Sequence, residues 1–301
     1  MKVHRSPFLA LAIAALVLAA CNAGGGSPSA SVSASVAAAS ASVAPTATPI
    51  PAPTSLITAG QLVDCVDIEY PPLEYFATSD VTDPNLAIGF DVDGAKAAAA
   101  KLGLQITIRN TGFNSLIADL ANKRCDIVWS GLFITDERLK TADATPYMKT
   151  GHVVMVPTGN PKGIKTAMDL CGKTISIQTG GLVETVSNAA SKACTDAGKP
   201  AINIQGYAKV ADEFQQIVIG RVDAIWETQE AVADWRTRNP GKYDVAFVAS
   251  QDKTYGIYYQ KGKADVGAAF TAVLLALKAD GTLTGIATKY NLDPATLDAI
   301  K

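Results

Sequence analysis

Arg138 has a type and a position that suggest recognition of an anion. The segment SGLFITDERLK, residues 130–140, passes from an apolar stretch into a predicted helix, and Arg138 follows Thr135 by three residues. A planar guanidinium can form two parallel hydrogen bonds to a carboxylate. Two interpretations of Arg138 are open from the residues alone: it holds a ligand, or it is a surface arginine paired with Asp136 or Glu137. Thr135 is a predicted helix cap in either case.

Asp67 and Glu69 could supply the opposite charge. Both lie at the end of the first predicted strand, and side chains alternate along a strand, so both face the same side of the sheet. They are predicted either to meet a cationic group of a ligand or to remain solvated at the strand end.

Catalytic chemistry is disfavoured by the residues that the chain lacks. Apart from His4 near the start, His152 is the only histidine, which excludes a histidine metal cluster and leaves one imidazole for any nucleophile. The GKT at residues 172–174 resembles the end of a phosphate loop, but that loop requires glycine at the position of Ala167. We expect no metal, no cofactor and no catalytic residue.

Composition indicates a globular protein that does not bind nucleic acid. The chain has 301 residues, 48% of them hydrophobic, which is enough for a large buried core. Its formal net charge is -2, and its isoelectric point is near 5.7. Nucleic-acid binding would require a basic surface.

The start of the chain predicts export. Basic residues precede thirteen apolar residues, Phe8 to Ala20, and the sequence LAAC ends at Cys21. At about 1.5 Å per residue this run is too short for a hydrocarbon core of about 30 Å, which indicates a signal peptide. LAAC resembles the bacterial lipobox, so Cys21 is predicted to be acylated. A plain cleavable signal is the alternative.

Residues 22–58 are predicted to be a disordered tether. Ser, Ala, Pro, Gly and Thr dominate, and no charged residue occurs from Asn22 to Val63. Such a segment has little to bury, and about 35 flexible residues span roughly 30 to 35 Å.

Four cysteines remain after Cys21, and an exported protein permits disulfides. Cys171 is predicted to open a strand and Cys194 to lie near the end of the following helix, so a bridge between them is predicted. Cys65 and Cys125 lie in two predicted strands. There a bridge and two buried free thiols both remain open.

Apolar periodicity predicts an α/β fold made of two successive units. Short apolar runs such as QLVDCVDI, LQITIRN and CDIVWSG alternate with helical patterns, and the order recurs after Gly151. Each unit is predicted to carry a mostly parallel sheet flanked by helices. The tail is predicted to be helical and broken at Gly281.

Several blocks resemble one family in order along about 230 residues. They are YPPLEY, GFDVDGAKAAAAKLG, FNSLIADLANKRCDIVWSGLFITDERLKTADATPYM, DLCGKTISIQTGG, GRVDA and LKADGTLTGIATKY. Together they resemble the family 3 extracytoplasmic solute-binding proteins, the amino-acid receptors of bacterial ABC importers. The resemblance implies a two-lobed flytrap fold that closes on its ligand.

The resemblance also implies which residues meet a ligand. Arg138 matches the arginine that pairs with the ligand carboxylate, Thr135 matches a nearby hydroxyl, and Ser130 is retained. Gly180 and Gly181 precede a helix, so their backbone amides could hold the same anion from the other lobe. Tyr70 and Phe113 match the aromatic pair that encloses the ligand in the family, with core packing as the alternative. Trp129 and Trp226 are expected in the core.

Departures from the family pattern weaken the prediction of an α-amino acid. Thr228 occupies the position where an aspartate usually neutralises the α-ammonium, and Gly131 and Phe133 occupy positions where serines are common. The preferred ligand is therefore predicted to lack an α-ammonium group or to place its positive charge near Asp67 and Glu69.

These observations predict a lipid-anchored, extracytoplasmic and monomeric binding subunit of an ABC importer that contacts permease subunits. One lobe is predicted at residues 59–150 and 259–301 and the other at residues 151–258, with hinge strands near Thr150 to Met155 and Tyr255 to Gln260. The ligand is predicted between the lobes. Alternatives are a dehydratase of the same fold, with Glu227 or Glu69 as its acid, and a sensing module that reports to a membrane receptor.

Overall fold

A computed structural model describes residues 49–301, so the predicted signal peptide, Cys21 and most of the tether lie outside the described residues. The strands are β1 Gln61–Val66, β2 Gln105–Asn110, β3 Ile127–Val128, β4 Ala142–Pro157, β5 Thr174–Gln178, β6 Asn203–Tyr207, β7 Ala224–Thr228 and β8 Tyr243–Gln260. The helices are α1 Phe90–Lys101, α2 Leu116–Ala121, α3 Asp136–Leu139, α4 Leu182–Asp196, α5 Val210–Val218, α6 Gln229–Arg238, α7 Ala264–Ala279 and α8 Thr282–Lys289.

The strands form one eight-stranded sheet in the order β2-β1-β3-β8-β4-β7-β5-β6. The strands β1, β2 and β3 are parallel at one end, and β5, β6 and β7 are parallel at the other. Both groups alternate with helices along the chain, because parallel neighbours require a crossover connection. The predicted fold of two lobes, each with a mostly parallel sheet, is confirmed.

The lobes are joined by β4 and β8, which pair antiparallel from Ala142 opposite Gln260 to Pro157 opposite Tyr243. The predicted hinge segments are offset along this ribbon: Tyr255 to Gln260 pairs with residues 142–148, and Thr150 to Met155 pairs with residues 245–253. At one end of the ribbon β8 also pairs with β3, and at the other end β4 also pairs with β7. Between these ends, β4 and β8 pair mainly with each other. We propose that bending occurs there, beside Gly151, whose missing Cβ would lie 1.9 Å from the Ser250 carbonyl oxygen.

Large aromatic side chains fill the core of the first lobe. Trp129 on the strand-end loop lies 5.3 Å from Tyr147 and 6.4 Å from Phe270 of α7, measured between ring centroids. Both Trp129 and Trp226 are buried, as predicted. Gly281 separates α7 from α8 with a positive φ of 82°, which a glycine adopts without steric cost.

Within residues 49–301, no single helix is long and apolar enough to cross a membrane. The bent pair α7 and α8 passes that test only when the two helices are taken together, with an angle of 76° between them.

Both cysteine pairs considered from the sequence are bridged. Cys171 and Cys194 are bridged, as predicted, although Cys171 ends a short 3-10 turn and β5 begins only at Thr174. Cys65 and Cys125, which the sequence left open, are also bridged, with 5.7 Å between their Cα atoms. In the loop-entropy account, closing loops of these lengths constrains the unfolded chain by about 3 to 4 kcal/mol each.

The last part of the predicted tether is docked on the first lobe, so the boundary at residue 58 is a correction. Asp265 of α7 accepts from the backbone amides of Thr54 and Ser55, at 2.9 and 2.8 Å, and from the Ser55 hydroxyl at 2.6 Å. The amide of Ile57 donates to Asp126 at 2.7 Å. The carboxylates of Asp265 and Asp126 therefore accept hydrogen bonds from the backbone of this segment. The sequence did not predict these contacts, because the segment itself carries no charge.

Candidate functional site

The two lobes face each other across a cleft at the carboxyl ends of the parallel strands. The cleft holds a small cavity that is partly open to solvent. Six of its lining residues were predicted to contact a ligand: Tyr70, Phe113, Ser130, Gly131, Gly181 and Thr228. The others are Phe133, Gln178, Leu182, Val183 and Glu227.

Tyr70 connects the lobes at the base of this cavity. Its hydroxyl donates to Glu227 Oε1 at 2.8 Å and lies in a short hydrogen bond with the Thr228 hydroxyl. Thr228 is the N-cap of α6, since its Oγ1 accepts from the amide of Ala231 at 3.4 Å. Glu227, the residue immediately before Thr228, places a carboxyl at the same cavity.

Ser130 and Gly131 form the floor contributed by the first lobe. The Ser130 hydroxyl accepts from the amide of Asp67 at 2.9 Å and donates to Glu74 Oε1 at 2.8 Å. The Gly131 amide donates to Asp91 Oδ2 at 2.7 Å. Gly131 has a φ of 52°, and a Cβ there would lie 3.2 Å from Leu73. Both residues therefore shape the floor while their polar groups are engaged within the protein.

Arg138 lies beside the cavity, in an adjoining crevice that shares Phe113 with it and is also lined by Gly180. The guanidinium is 5.7 Å from the centre of the Phe113 ring and donates to the carbonyl oxygens of Phe133 at 3.0 Å and Gly180 at 3.4 Å. Burial lowers the pKa of Arg138 from its usual value.

The alternative of a surface ion pair for Arg138 is not what the structure shows. Among residues 49–301, Arg138 forms no ion pair, and Glu137 pairs instead with Lys140. The Oγ1 of Thr135 accepts from the amide of Arg138 at 3.3 Å, so Thr135 caps α3 as predicted. A half-buried guanidinium with donors to spare is thus held at the cleft.

Of the two glycines that were expected to grip an anion, one has its amide occupied. The Gly180 amide donates to Glu184 Oε2 at 2.7 Å, so it is not free for a ligand, which corrects that expectation. Gly181 is the N-cap of α4 and has no side-chain cap. A Cβ on Gly181 would lie 3.6 Å from the Phe113 ring, so the missing side chain leaves space above that ring.

Asp67 and Glu69 line a different crevice, together with Lys209 from the second lobe. Glu69 forms a salt bridge with Lys209 across the cleft, and Asp67 is buried rather than solvated. Burial, reinforced by Glu69 and opposed by Lys209, raises the pKa of Asp67 to about 7. These carboxylates are therefore not two free anions at the cavity, because one is already paired.

Sequence reasoning missed three residues that line the cavity: Gln178, Leu182 and Val183. Gln178 ends β5, and the other two begin α4, so all three flank the strand-to-helix turn at Gly180. Gln178 could have been predicted from the sequence, because it is a polar residue at the end of an apolar parallel strand, and ligands bind at that edge of such sheets. Glu227 was considered only as the acid of an enzyme.

A two-lobed α/β protein with a cavity between its lobes and two joining strands is a solute-binding protein in architecture. Residues 62–293 match the family described as bacterial extracellular solute-binding proteins, family 3, and the chain belongs to that family.

Curated relatives carry names of amino-acid-binding proteins. The L-cystine-binding protein TcyJ of Escherichia coli K12 is 28% identical over 232 residues, which cover 77% of this chain and 82% of the relative. ABC transporter arginine-binding protein 1 of the same strain is 29% identical over 231 residues, covering 75% of this chain and 88% of the relative.

Solved structures give the same family context. An ancestral arginine-binding protein bound to arginine is 29% identical, with a TM-score of 0.69, covering 77% of this chain and 98% of the other. The ancestral amino acid-binding protein AncCDT-1, described as a precursor of cyclohexadienyl dehydratase, is 27% identical with a TM-score of 0.66, covering 77% of this chain and 95% of the other.

Proposed function

We propose that the protein captures an amino acid outside the cytoplasm and delivers it to an ABC importer. The observation that carries this proposal is the pair of opposite charges at the cleft. Arg138 supplies a guanidinium without an acidic partner among residues 49–301, and Glu227 supplies a buried carboxyl at the base of the cavity. An α-amino acid carries a carboxylate and an ammonium group that complement these two charges.

Physical chemistry supports this assignment of the two ends. A carboxylate or an ammonium group that leaves water must be paired and hydrogen-bonded, otherwise its desolvation opposes binding. Arg138 would bind the carboxylate, and Glu227 with Thr228 would bind the ammonium. The rings of Tyr70 and Phe113 would enclose the apolar part of the ligand.

This proposal revises the ligand expected from the sequence. Thr228 alone suggested a ligand without an α-ammonium group, but Glu227 lies beside it with one oxygen that accepts no hydrogen bond from residues 49–301. Glu69, the alternative anion, is engaged by Lys209. The α-amino acid is therefore favoured over a carboxylate that lacks an amine.

Capture by closure follows from contacts across the cleft. Tyr70 reaches Glu227, Glu69 reaches Lys209, and Asn114 Nδ2 donates to Thr179 Oγ1 at 3.3 Å. A ligand that touches both lobes adds to these contacts only when the lobes meet, so it shifts the population toward the closed form.

We also propose that Cys21 carries a lipid and that residues 22–48 act as a tether to the membrane. A sensing module would share this arrangement, so the partner distinguishes the two functions. Reconstituted importer with its permease should show ATP hydrolysis that rises when the loaded binding protein is added, whereas a sensing module would leave it unchanged.

The experiment that tests the binding function is a thermal-shift screen of the domain from residue 49. The panel contains L-arginine, L-lysine, L-cystine and L-glutamine, with matched carboxylates that lack the amine. A ligand at 100 times its dissociation constant adds about 2.7 kcal/mol to the free energy of unfolding. A shift with an amino acid and none with its deaminated analogue supports the proposal. Shifts with deaminated analogues alone would refute the ammonium site at Glu227.

A dehydratase is the alternative function from another class. It requires a carboxylic acid that can donate a proton to its substrate, but Glu227 Oε1 accepts hydrogen bonds from Tyr70 and from the Thr228 amide at 2.6 Å. Burial raises the pKa of Glu227, and these donors oppose that rise because they stabilise the ionised carboxylate. Incubation with arogenate or prephenate should therefore release no aromatic product.

A further inference from the structure

Glu213 is a buried carboxyl that the ligand-binding residues do not include. It lies on α5 with no exposed surface, and both of its side-chain oxygens are buried without a hydrogen-bond donor in residues 49–301. Phe214 and Ile217 on the same helix are also buried in the core. An ionised carboxylate without donors in such surroundings would be very unfavourable.

The neighbour of Glu213 is Glu227, the carboxyl at the base of the cavity. Glu227 Oε1 accepts from the Tyr70 hydroxyl at 2.8 Å and from the Thr228 amide at 2.6 Å, whereas its Oε2 is buried and accepts from no donor in the described chain. Three carboxyl oxygens of this pair therefore lack a donor.

Charged groups around the pair offer no compensation. The titratable groups that face Glu227 are Glu213 from α5, Tyr70 from the loop after β1, and Tyr255 from β8. Neither glutamate forms an ion pair with Lys, Arg or His anywhere in residues 49–301. Two buried carboxylates side by side cannot both ionise at neutral pH, as in other carboxyl dyads.

A single proton on one of the two glutamates removes the repulsion between them. The hydrogen bonds around each glutamate determine which one carries that proton. Burial raises the pKa of Glu213 well above its usual value, and the charge of Glu227 raises it further. Burial also raises the pKa of Glu227, but the Thr228 amide and the Tyr70 hydroxyl oppose that rise because they donate to the ionised form. Glu213 has no such donors, so it is the better place for the proton.

We infer that Glu213 is a positioning residue, which stays protonated at neutral pH and donates its O–H to Glu227 Oε2. The neutral Glu213 then completes the hydrogen bonds of an ionised Glu227, which remains ready to pair with the ammonium group of an amino acid. This role rests on the proposed function, although the protonation of Glu213 does not. It makes binding sensitive to pH through a residue that does not touch the ligand.

Protonation is tested first without any ligand. In protein labelled with ¹³C at the glutamate carboxyl carbons, NMR at pH 7 should show a protonated glutamate resonance that disappears in Glu213→Gln. If all glutamates of the parent titrate below pH 6, or if Glu213→Gln removes no protonated resonance, the inference is overturned and the proposed binding function is unaffected.

Binding is tested next, by calorimetry with L-arginine and L-cystine as probes between pH 6 and pH 10. Glu213→Gln retains an N–H donor and should bind within about threefold of the parent, whereas Glu213→Leu should lose about ten- to a hundredfold, the usual cost of an unsatisfied buried charged acceptor. Deprotonation of the ligand ammonium weakens binding by both proteins at alkaline pH, but the parent should lose more affinity than Glu213→Gln because Glu213 deprotonates as well.

Gln216→Leu is the matched control, because Gln216 is another buried polar residue on α5 and is absent from the cavity lining. It should keep the parental affinity and the alkaline loss. Parental affinity and pH profile in Glu213→Leu would overturn the inference. Failure of the parent to bind any amino acid would remove the proposed function, and the role of Glu213 in binding would fall with it.

Discussion

Replacing Arg138 tests the proposed anchor for the ligand carboxylate. The guanidinium is half-buried, its burial lowers its pKa, and it has no acidic partner in the described chain. A ligand carboxylate in the closed cleft would supply that partner. Removing one member of a buried charged pair typically costs 2 to 5 kcal/mol, which corresponds to roughly a 30-fold to several-thousand-fold loss of affinity.

Stability should respond much less than affinity. Without ligand, Arg138→Ala removes only the hydrogen bonds to the carbonyl oxygens of Phe133 and Gly180 and the contact with the Phe113 ring. Each hydrogen bond contributes about 1 kcal/mol, and the bond to Gly180, at 3.4 Å, contributes less because it is long. A decrease of about 1 kcal/mol in the free energy of unfolding is therefore expected.

Calorimetry with the amino acid found by the thermal-shift screen provides the assay. Arg138→Lys should recover little affinity, because an ammonium cannot reproduce the two parallel hydrogen bonds of a guanidinium. Arg124→Ala is the control, since the exposed Arg124 pairs with Asp119 and lines neither the cavity nor the crevice of Arg138. A dissociation constant for Arg138→Ala within threefold of the parent would refute the carboxylate assignment.

Three further predictions concern stability and attachment. Burial raises the pKa of Glu230 to about 7, so the folded chain binds a proton more readily than the unfolded chain, and the free energy of unfolding should fall between pH 4.5 and 7 by up to about 1.4 kcal/mol per pH unit. Denaturant unfolding at several pH values should show a smaller slope in Glu230→Gln, and an unchanged slope would contradict this. Cys21→Ala should release the protein from membranes in fractionation, and full retention would rule out acylation as the main anchor. Asp265→Asn should speed proteolytic cleavage near Thr54 several-fold, unlike Asp298→Asn on the surface, because Asp265 holds that segment.

Much of the fold was determined by local sequence patterns. The apolar runs QLVDCVDI and LQITIRN placed β1 and β2 within a few residues of their observed bounds, and the recurrence of the strand-helix order after Gly151 is also observed. The break at Gly281 and the bridge between Cys171 and Cys194 were also predictable. These features depend on side-chain periodicity, on a residue that tolerates positive φ, and on a short sequence separation.

Side-chain partners were decided by the tertiary structure. The sequence could place Glu69 and Asp67 on one side of a strand, but it could not show that Lys209, 140 residues away, pairs with Glu69. The sequence predicted that the Gly180 amide would contact a ligand. In the structure this amide donates to the side chain of Glu184, four residues further along the chain. Competition for a donor depends on side-chain orientation, which periodicity does not specify.

The charged residues at the cavity show most clearly which features depend on the sequence alone and which depend on the tertiary structure. By itself the sequence determined the family resemblance, the arginine at the start of a helix and the loss of an acid at Thr228. Only the folded chain brings Glu227, Tyr70 and Glu213 together from β7, the loop after β1 and α5. Whether a carboxyl is an anion or an acid depends on its burial and on the donors around it, and those are properties of packing between segments distant in the chain.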